Sequence, residues 1–237
     1  MSRTRAAIAV FLFLTATFAW AHDGKPADKL VTDQPVAGAE TEPVEAPVPV
    51  LGLEVGTAAP SFELLDVDGK PHTLADLLKE GWVVLVTYRG GWCPYCNEHL
   101  QASKGLAQPL REAGARLVAV SVDLPAEEAK TYTKHGLDFL VLSDPYLELI
   151  NAYNIANVID AETVKLYEGY GIDLEAYSGQ RHHTIAHPAV IIIDPDGIIR
   201  FFHVNADYKV RMTPDEIQEA LDSAMLPMQD GSGAPVF

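Results

Sequence analysis

Cysteine and basic residues are both scarce in this sequence. Only 2 of its 237 residues are cysteine, and 17 Lys and Arg stand against 33 Asp and Glu, which gives a formal net charge of −16. A surface of this sign repels the phosphates of nucleic acid, so no nucleic-acid partner is predicted. Because 48% of the residues are hydrophobic, the chain is still able to bury a sizeable core.

The sequence also lacks an apolar run of the roughly 20 residues that a membrane-spanning helix needs. Arg3 and Arg5 precede a shorter apolar stretch, which ends in Ala19-Trp20-Ala21. This pattern predicts a secretory signal peptide over residues 1–21 and therefore an exported protein, periplasmic or secreted. The two arginines are not adjacent and no cysteine follows the stretch, so Sec-type export without lipid attachment is expected. The alternative is an uncleaved leader, and only then is a membrane among the partners.

Proline and glutamate are frequent in the segment after the leader. It includes the run ETEPVEAPVP, and prolines at this density block both helix and sheet. We therefore expect a disordered Pro/Glu-rich linker over residues 22–50. A single domain is expected over 51–228, followed by a flexible tail over 229–237.

The two cysteines stand together in the tetrad Cys93-Pro94-Tyr95-Cys96. The apolar run WVVLVTY predicts a buried strand just before them, and a helix is predicted from Asn97 to Ala113. At this junction the helix dipole and the free N–H groups favour a thiolate at Cys93. Two thiols at this spacing can close and reopen a small disulfide ring, which predicts redox chemistry. A structural disulfide and half of a metal site are the alternatives.

Strands and helices alternate along the rest of the predicted domain. This order predicts an α/β fold with a mixed central sheet flanked by helices. Residues 156–187 are long for a connection, so we interpret them as an insertion and a candidate substrate surface. Strands are expected at 62–66, 115–122, 139–142, 189–194 and 198–202, and helices at 74–79, 125–135, 145–153 and 214–225.

Three stretches of the sequence resemble one known family: YRGGWCPYC, YGIDLEAYSG and HPAVIIIDPDGIIRFFHVNADYKVR. They are similar to the peroxiredoxin-like redoxins of the AhpC/TSA group, and the likeness covers roughly residues 51–225. The resemblance implies a thioredoxin-like fold. It also implies that Pro188 is a cis-proline facing the cysteines, where thioredoxin-like proteins use such a residue to hold backbone groups near the disulfide and to exclude metals.

Arg89 lies four residues before Cys93, at the end of the predicted strand. A permanent cation there stabilises a thiolate and lowers its pKa below that of a free cysteine. The alternative is an ordinary surface arginine paired with a carboxylate.

The sequence departs from the peroxiredoxin pattern at the positions that surround the nucleophilic cysteine. Peroxiredoxins resemble one another in a Pro-x-x-x-Thr/Ser-x-x-Cys motif, and those places hold Val86 and Gly90 when Cys93 is taken as the nucleophile. The arginine of the family aligns with Pro188, and either Arg89 or Arg211 is a candidate to replace it. Because the groups that polarise a peroxide are missing or replaced, the sequence favours disulfide exchange.

The predicted site therefore consists of Cys93, Cys96, Pro188 and Arg89, with no cofactor. We expect an exported thiol-disulfide oxidoreductase in which Cys93 is an accessible nucleophile and Cys96 resolves the mixed disulfide. Its partners would be thiols or disulfides of proteins or small molecules, together with an electron donor that the sequence does not identify. One alternative is a thiol-dependent peroxidase that reduces peroxide. The other is copper binding by the two thiolates and His187, since these ligand types suit copper.

Overall fold

The structure is a computed structural model that describes residues 50–226. The predicted signal peptide (1–21), the tail (229–237) and all of the linker except its last residue lie outside the described residues, and they stay predictions. Within the described range, nine strands and seven helices alternate along the chain. No helix in this range is both long enough and apolar enough to cross a membrane.

The helices and strands are numbered here in chain order. The strands are β1 (Glu63–Asp66), β2 (Pro71–Thr73), β3 (Trp82–Thr87), β4 (Ala115–Ser121), β5 (Leu140–Ser143), β6 (Ala156–Val158), β7 (Thr184–Ala186), β8 (Ala189–Ile193) and β9 (Ile199–Val204). The helices are α1 (Leu74–Leu78), α2 (Pro94–Glu112), α3 (Pro125–His135), α4 (Glu148–Ala152), α5 (Ala161–Gly169), α6 (Leu174–Ser178) and α7 (Pro214–Met225).

Seven of these strands form one mixed sheet in the order β2-β1-β5-β4-β3-β8-β9. β3, β4 and β5 run parallel, while β8, β9 and the β1–β2 pair are joined to them by antiparallel contacts. Helices cover both faces of the sheet. The predicted fold class, an α/β fold with a mixed central sheet flanked by helices, is confirmed.

Alternate residues of β3 point into two different cores. Val83 and Leu85 belong to one apolar cluster, whereas Val84 and Val86 belong to the other, as the two-residue period of a strand requires. The first core is closed by buried residues of α1, α4, α5 and α6, namely Leu77, Ile150, Val164 and Leu174. The second is closed by buried residues of α2 and α7, namely Leu100, Leu110, Ile217 and Leu221. With apolar side chains on both of its faces, β3 is held rigidly, and the loop that follows it is anchored at its base.

The predicted insertion, residues 156–187, has secondary structure of its own. β6 and β7 pair as a small antiparallel sheet, and α5 and α6 lie between them. Asp160 and Asp173 cap these two helices, because their side chains accept hydrogen bonds from backbone N–H groups of the first turn. The backbone N–H of Leu124 donates to the carbonyl of Tyr177 over 2.8 Å, which fastens the insertion to the chain segment after β4.

Two helices begin at other residues than the sequence analysis predicts. α2 starts at Pro94, inside the cysteine tetrad, because proline suits the first position of a helix. α4 starts at Glu148 instead of Pro145, since the carboxylate of Asp144 accepts from the N–H groups of Glu148 and Ile150 at 2.6 and 2.9 Å.

The peptide bond before Pro188 is trans, so the prediction of a cis-proline is wrong. Proline has no N–H, and the hydroxyl of Thr87 bridges the gap that this leaves between β3 and β8. It donates to the carbonyl of His187 over 2.7 Å and accepts from the N–H of Ala189 over 2.9 Å. In the trans geometry both of these backbone groups are paired. The intrinsic preference of an X–Pro peptide bond for trans, about 0.5–1 kcal/mol, is therefore not opposed.

Candidate active site

The cysteine pair lies where β3 passes into α2. Cys93 is the N-cap residue, in extended conformation, and Cys96 lies in the first turn of a helix of 19 residues. The backbone N–H of Cys93 donates to the carbonyl of Gly90 over 3.1 Å. The side-chain amide of Asn97 donates to the carbonyl of Gly91 over 2.9 Å. These bonds fix the loop so that the Cys93 sulfur stands at the positive end of the helix dipole.

Both thiols are free and fully buried. The prediction of an accessible nucleophile at Cys93 is wrong, because the thiol is fully buried. The groups that pack about the loop come from distant parts of the chain.

The two thiols differ sharply in acidity. A hydrogen bond from the Cys96 thiol is the main cause that lowers the pKa of Cys93 to about 6; burial opposes it, and the charges of Arg89 and Arg211 assist it. Burial, followed by the contact with Cys93, raises the pKa of Cys96 well above its ordinary value. At neutral pH the pair therefore holds one thiolate, on Cys93, and one thiol that donates to it.

Arg89 is buried beside Cys93 and is not a surface arginine. Its side chain is only 5% exposed, its Nη1 lies 3.7 Å from the Cys93 sulfur, and its Nη2 donates to the hydroxyl of Tyr167. Aromatic rings surround the guanidinium, with ring centroids 4.0 Å away for Tyr208 and 4.9 Å away for Trp92. Such cation–π contacts hold the charge in place without neutralising it.

Arg211 is a second cation at the site. It lies in the loop between β9 and α7, and its Nη2 donates to the Cys96 sulfur over 3.2 Å. Its Nε donates to the carbonyl of Tyr208 over 2.7 Å, which orients the guanidinium. From the sequence, Arg211 is only a candidate to replace the arginine of the peroxiredoxins, and it is not part of the predicted site. Nothing local in the sequence indicates its contact with a cysteine 115 positions away.

Tyr167 and Tyr208 are residues of the site that the sequence analysis misses. Tyr167 lies on α5 of the insertion, and its ring packs on that of Trp92 with a centroid separation of 5.5 Å. Tyr208 packs edge-on against Tyr95, with a centroid separation of 5.6 Å. The insertion and the β9–α7 loop thus each place one tyrosine over Arg89.

Gly90 occupies the position where peroxiredoxins carry a hydroxyl residue. Its φ of +147° is one that residues with a side chain rarely adopt, and an added Cβ would lie 2.3 Å from Nε1 of Trp92 and 2.7 Å from Oδ1 of Asp123. A threonine therefore cannot be accommodated in this backbone. The other carboxylate oxygen of Asp123 accepts from the N–H of Gly91 over 2.7 Å, and burial raises the pKa of Asp123 to about 7.

Pro188 is buried at the start of β8 and lines a small cavity together with Arg211 and His99. His187 directly precedes Pro188, and burial and the positive charge of Arg89 lower the pKa of His187. Within residues 50–226, no three His, Cys, Asp or Glu side chains are grouped so as to hold a metal ion. The copper alternative therefore has no donor set among the described residues.

A family model described as the AhpC/TSA family matches residues 55–202, more than half of the chain. The chain belongs to the AhpC/TSA family. The resemblance that the sequence analysis states is thereby confirmed, and the seven-stranded sheet is the framework on which this member carries its two cysteines.

Solved structures of the peroxiredoxin type share the fold of this AhpC/TSA chain. Peroxidoxin BcpB from Mycobacterium tuberculosis matches with a TM-score of 0.57 and 20% identity, over 73% of this chain and 98% of that one. Reduced Prx3 from Vibrio vulnificus, in complex with hydrogen peroxide, matches with a TM-score of 0.58 and 20% identity, over 71% and 99%. At this level of identity the likeness shows the thioredoxin-like fold alone.

Among curated proteins, the chain is similar to Thiol-disulfide oxidoreductase ResA of Geobacillus kaustophilus. The two are 30% identical over 104 residues, which is 44% of this chain and 59% of that protein. ResA of Halalkalibacterium halodurans is 25% identical over 142 residues, 60% of this chain and 78% of that protein. The chain thus spans less than two thirds of the first of these relatives.

We predict that iodoacetamide modifies Cys93 faster than Cys96 at neutral pH, with a rate profile whose midpoint lies near pH 6. Arg89→Ala should move this midpoint upward, because the thiolate loses a cation whose Nη1 lies 3.7 Å away. Mass spectrometry of the labelled peptides measures both rates. Arg111→Ala, in the last turn of α2, is the matched control. Equal rates at the two cysteines, or a profile that Arg89→Ala leaves in place, would contradict the assignment.

Proposed function

We propose that the protein is an exported thiol-disulfide oxidoreductase in which Cys93 is the nucleophile and Cys96 the resolving thiol. The opposed acidities of the two thiols carry the proposal: the pKa of Cys93 is lowered to about 6 and that of Cys96 is raised. Thiol-disulfide exchange needs a thiolate that attacks and, beside it, a neutral thiol that reacts in the second step. The name of the ResA relatives, thiol-disulfide oxidoreductase, supports the same activity.

In the reducing direction, the Cys93 thiolate attacks one sulfur of a partner disulfide. The other sulfur of the partner leaves as a thiolate and takes up a proton, and a mixed disulfide remains on Cys93. Cys96 then loses its proton and attacks the Cys93 sulfur, which releases the second thiol of the partner and leaves the Cys93–Cys96 disulfide. Two electrons pass to the partner. The reverse sequence oxidises a partner dithiol.

The two arginines take separate roles in this scheme. Arg89 stabilises the attacking thiolate, and Arg211, at 3.2 Å from the Cys96 sulfur, favours the deprotonation of that thiol once Cys93 is occupied. Pro188 serves as a positioning residue at the start of β8, where it lines the same small cavity as Arg211. The signal peptide over residues 1–21 supplies export in this proposal.

A partner reaches Cys93 only when the aromatic side chains around Arg89 move. Tyr167 lies on α5 of the insertion and Tyr208 lies in the β9–α7 loop, so the side chains that have to move come from two separate segments of the chain. The predicted use of residues 156–187 as a substrate surface is consistent with this arrangement, because Tyr167 is the member of that segment that bonds Arg89.

Peroxide reduction is the second candidate function. Two guanidiniums stand next to the sulfurs, and cations so placed stabilise an oxygen that becomes negatively charged. The Cys93 thiolate would attack one peroxide oxygen, releasing water or an alcohol and leaving a sulfenic acid. Condensation with Cys96 would then release water and form the disulfide. The backbone at Gly90 excludes the hydroxyl residue that peroxiredoxins use, and this ranks the candidate second.

We predict that the Cys96→Ser protein, incubated with oxidised glutathione, accumulates one glutathione on Cys93. Without the resolving thiol, no second thiolate of the protein can attack the mixed disulfide and break it. Intact-mass spectrometry before and after addition of a reductant measures the adduct. The wild type should instead finish as the Cys93–Cys96 disulfide, and the Cys93→Ser control should gain nothing. An adduct on the control, or none on Cys96→Ser, would overturn the two-cysteine mechanism.

A side-by-side measurement ranks the two candidate functions. We expect Cys93 to reduce a disulfide-bonded protein such as insulin far faster than a free thiol does, since the site holds its thiolate in place. Hydrogen peroxide should react within about ten- to a hundredfold of the rate of a simple thiolate, because no hydroxyl stands at Gly90. Stopped-flow peroxide rates several orders of magnitude higher, abolished by Cys93→Ser, would reverse the ranking.

A further inference from the structure

The two arginines at the cysteine pair are cations that have no acidic partner in the part of the chain that the structure describes. Among residues 50–226, ion pairs hold Arg116, Arg181 and Arg200, but no carboxylate lies within 4.0 Å of Arg89 or Arg211. Their contacts are the two sulfurs, tyrosine rings, the hydroxyl of Tyr167 and a backbone carbonyl.

Among the described residues, the side chains that surround the two guanidiniums carry no negative charge apart from the Cys93 thiolate. His99, on α2, and His187, before β8, face the guanidiniums. Burial lowers the pKa of both histidines, to about 4 for His99, so that they are neutral at pH 7. The remaining neighbours, Trp92, Tyr167 and Tyr208, are uncharged. The carboxylate of Asp123, whose pKa burial raises to about 7, accepts from the backbone N–H of Gly91 and makes no hydrogen bond to either guanidinium among the described residues.

The guanidiniums also retain buried N–H groups without a partner, namely Nε of Arg89 and Nη1 of Arg211. Burying a cation with unpaired N–H donors raises the free energy of the folded protein unless an anion lies close to it. In the reduced protein, the thiolate of Cys93 is that anion. In the disulfide form, neither sulfur carries a charge, and both cations are left without compensation.

We propose that this charge arrangement makes the Cys93–Cys96 disulfide an oxidant, so that at equilibrium the pair favours oxidation of dithiols of exported proteins over reduction of their disulfides. The inference rests on the proposed function and assigns its direction. One thiolate of the substrate attacks the Cys93 sulfur, Cys96 leaves, and a mixed disulfide forms. The second substrate thiolate attacks its own mixed-disulfide sulfur and expels Cys93 as the stabilised thiolate. The substrate loses two electrons, and the cysteine pair gains them.

The reason is thermodynamic. Whatever stabilises the reduced form of a dithiol relative to its disulfide raises the reduction potential of the pair. A hydrogen bond to a charged group contributes more than one between neutral groups, and two guanidiniums here lie at 3.7 and 3.2 Å from the sulfurs. Return to the disulfide needs a two-electron oxidant of the disulfide class, for which oxidised glutathione serves in the test.

The test equilibrates the full chain with mixtures of reduced and oxidised glutathione and measures the fractions of the two forms by thiol trapping and mass spectrometry. We expect the ratio of reduced to oxidised protein to be at least about tenfold higher than that of thioredoxin in the same buffer. Arg89→Gln and Arg211→Gln should each lower the ratio about tenfold, equivalent to about 30 mV for a two-electron couple.

Two matched variants separate charge from packing. Arg211→Lys keeps the charge and should keep most of the wild-type ratio. Arg111→Gln removes a charge from the far end of α2, about 22 Å from Cys96 along the helix, and should leave the ratio unchanged. A wild-type ratio at or below that of thioredoxin would overturn the direction assigned here. So would Arg→Gln variants that match the wild type. If no exchange with glutathione occurs at all, the proposed function itself fails.

Discussion

The site depends on two guanidiniums, the buried one of Arg89 and the half-buried one of Arg211, which contact the cysteine sulfurs and no carboxylate of the described residues. Arg89 and Arg211 bracket the cysteine pair, and burial weakens the screening of their charges. The thiolate on Cys93 is the anion that compensates them in the reduced protein. The hydrogen bond from the Cys96 thiol, assisted by the charges of the two arginines, lowers the pKa of Cys93, whereas burial raises the pKa of Cys96 against the opposing charge of Arg211.

The fold brings these groups together from segments that are far apart in the chain. The end of β3 supplies Arg89, the first turn of α2 supplies both cysteines, and the loop after β9 supplies Arg211. The insertion adds Tyr167, whose hydroxyl accepts from Arg89. Because β3 is packed into a core on each face, the loop after it cannot relax away from the two arginines. Stability of the sheet and acidity of the thiol are therefore linked.

The sequence predicts the framework better than the surroundings of the site. α3 and α7 are predicted with the observed bounds, since a proline opens each helix and Gly136 ends α3 in a left-handed conformation. The three-residue strand β2 is missed because so short a run has no detectable period. Tyr167, Tyr208 and the burial of Cys93 depend on contacts across many residues, which local patterns do not contain. The cis-proline, carried over from the family resemblance, is wrong.

The central claim is that the reduced form is stabilised by a thiolate, and the pH dependence of stability tests it most directly. Cys93 has a folded pKa of about 6, below the roughly 8.5 of an unfolded thiol. Its contribution is thus complete above about pH 8.5 and is lost as the pH falls through 6. Urea unfolding of the reduced and the oxidised protein should show the reduced form gaining stability relative to the oxidised form between pH 6 and about 8.5. A difference that stays constant over this range, or that falls, would contradict the claim.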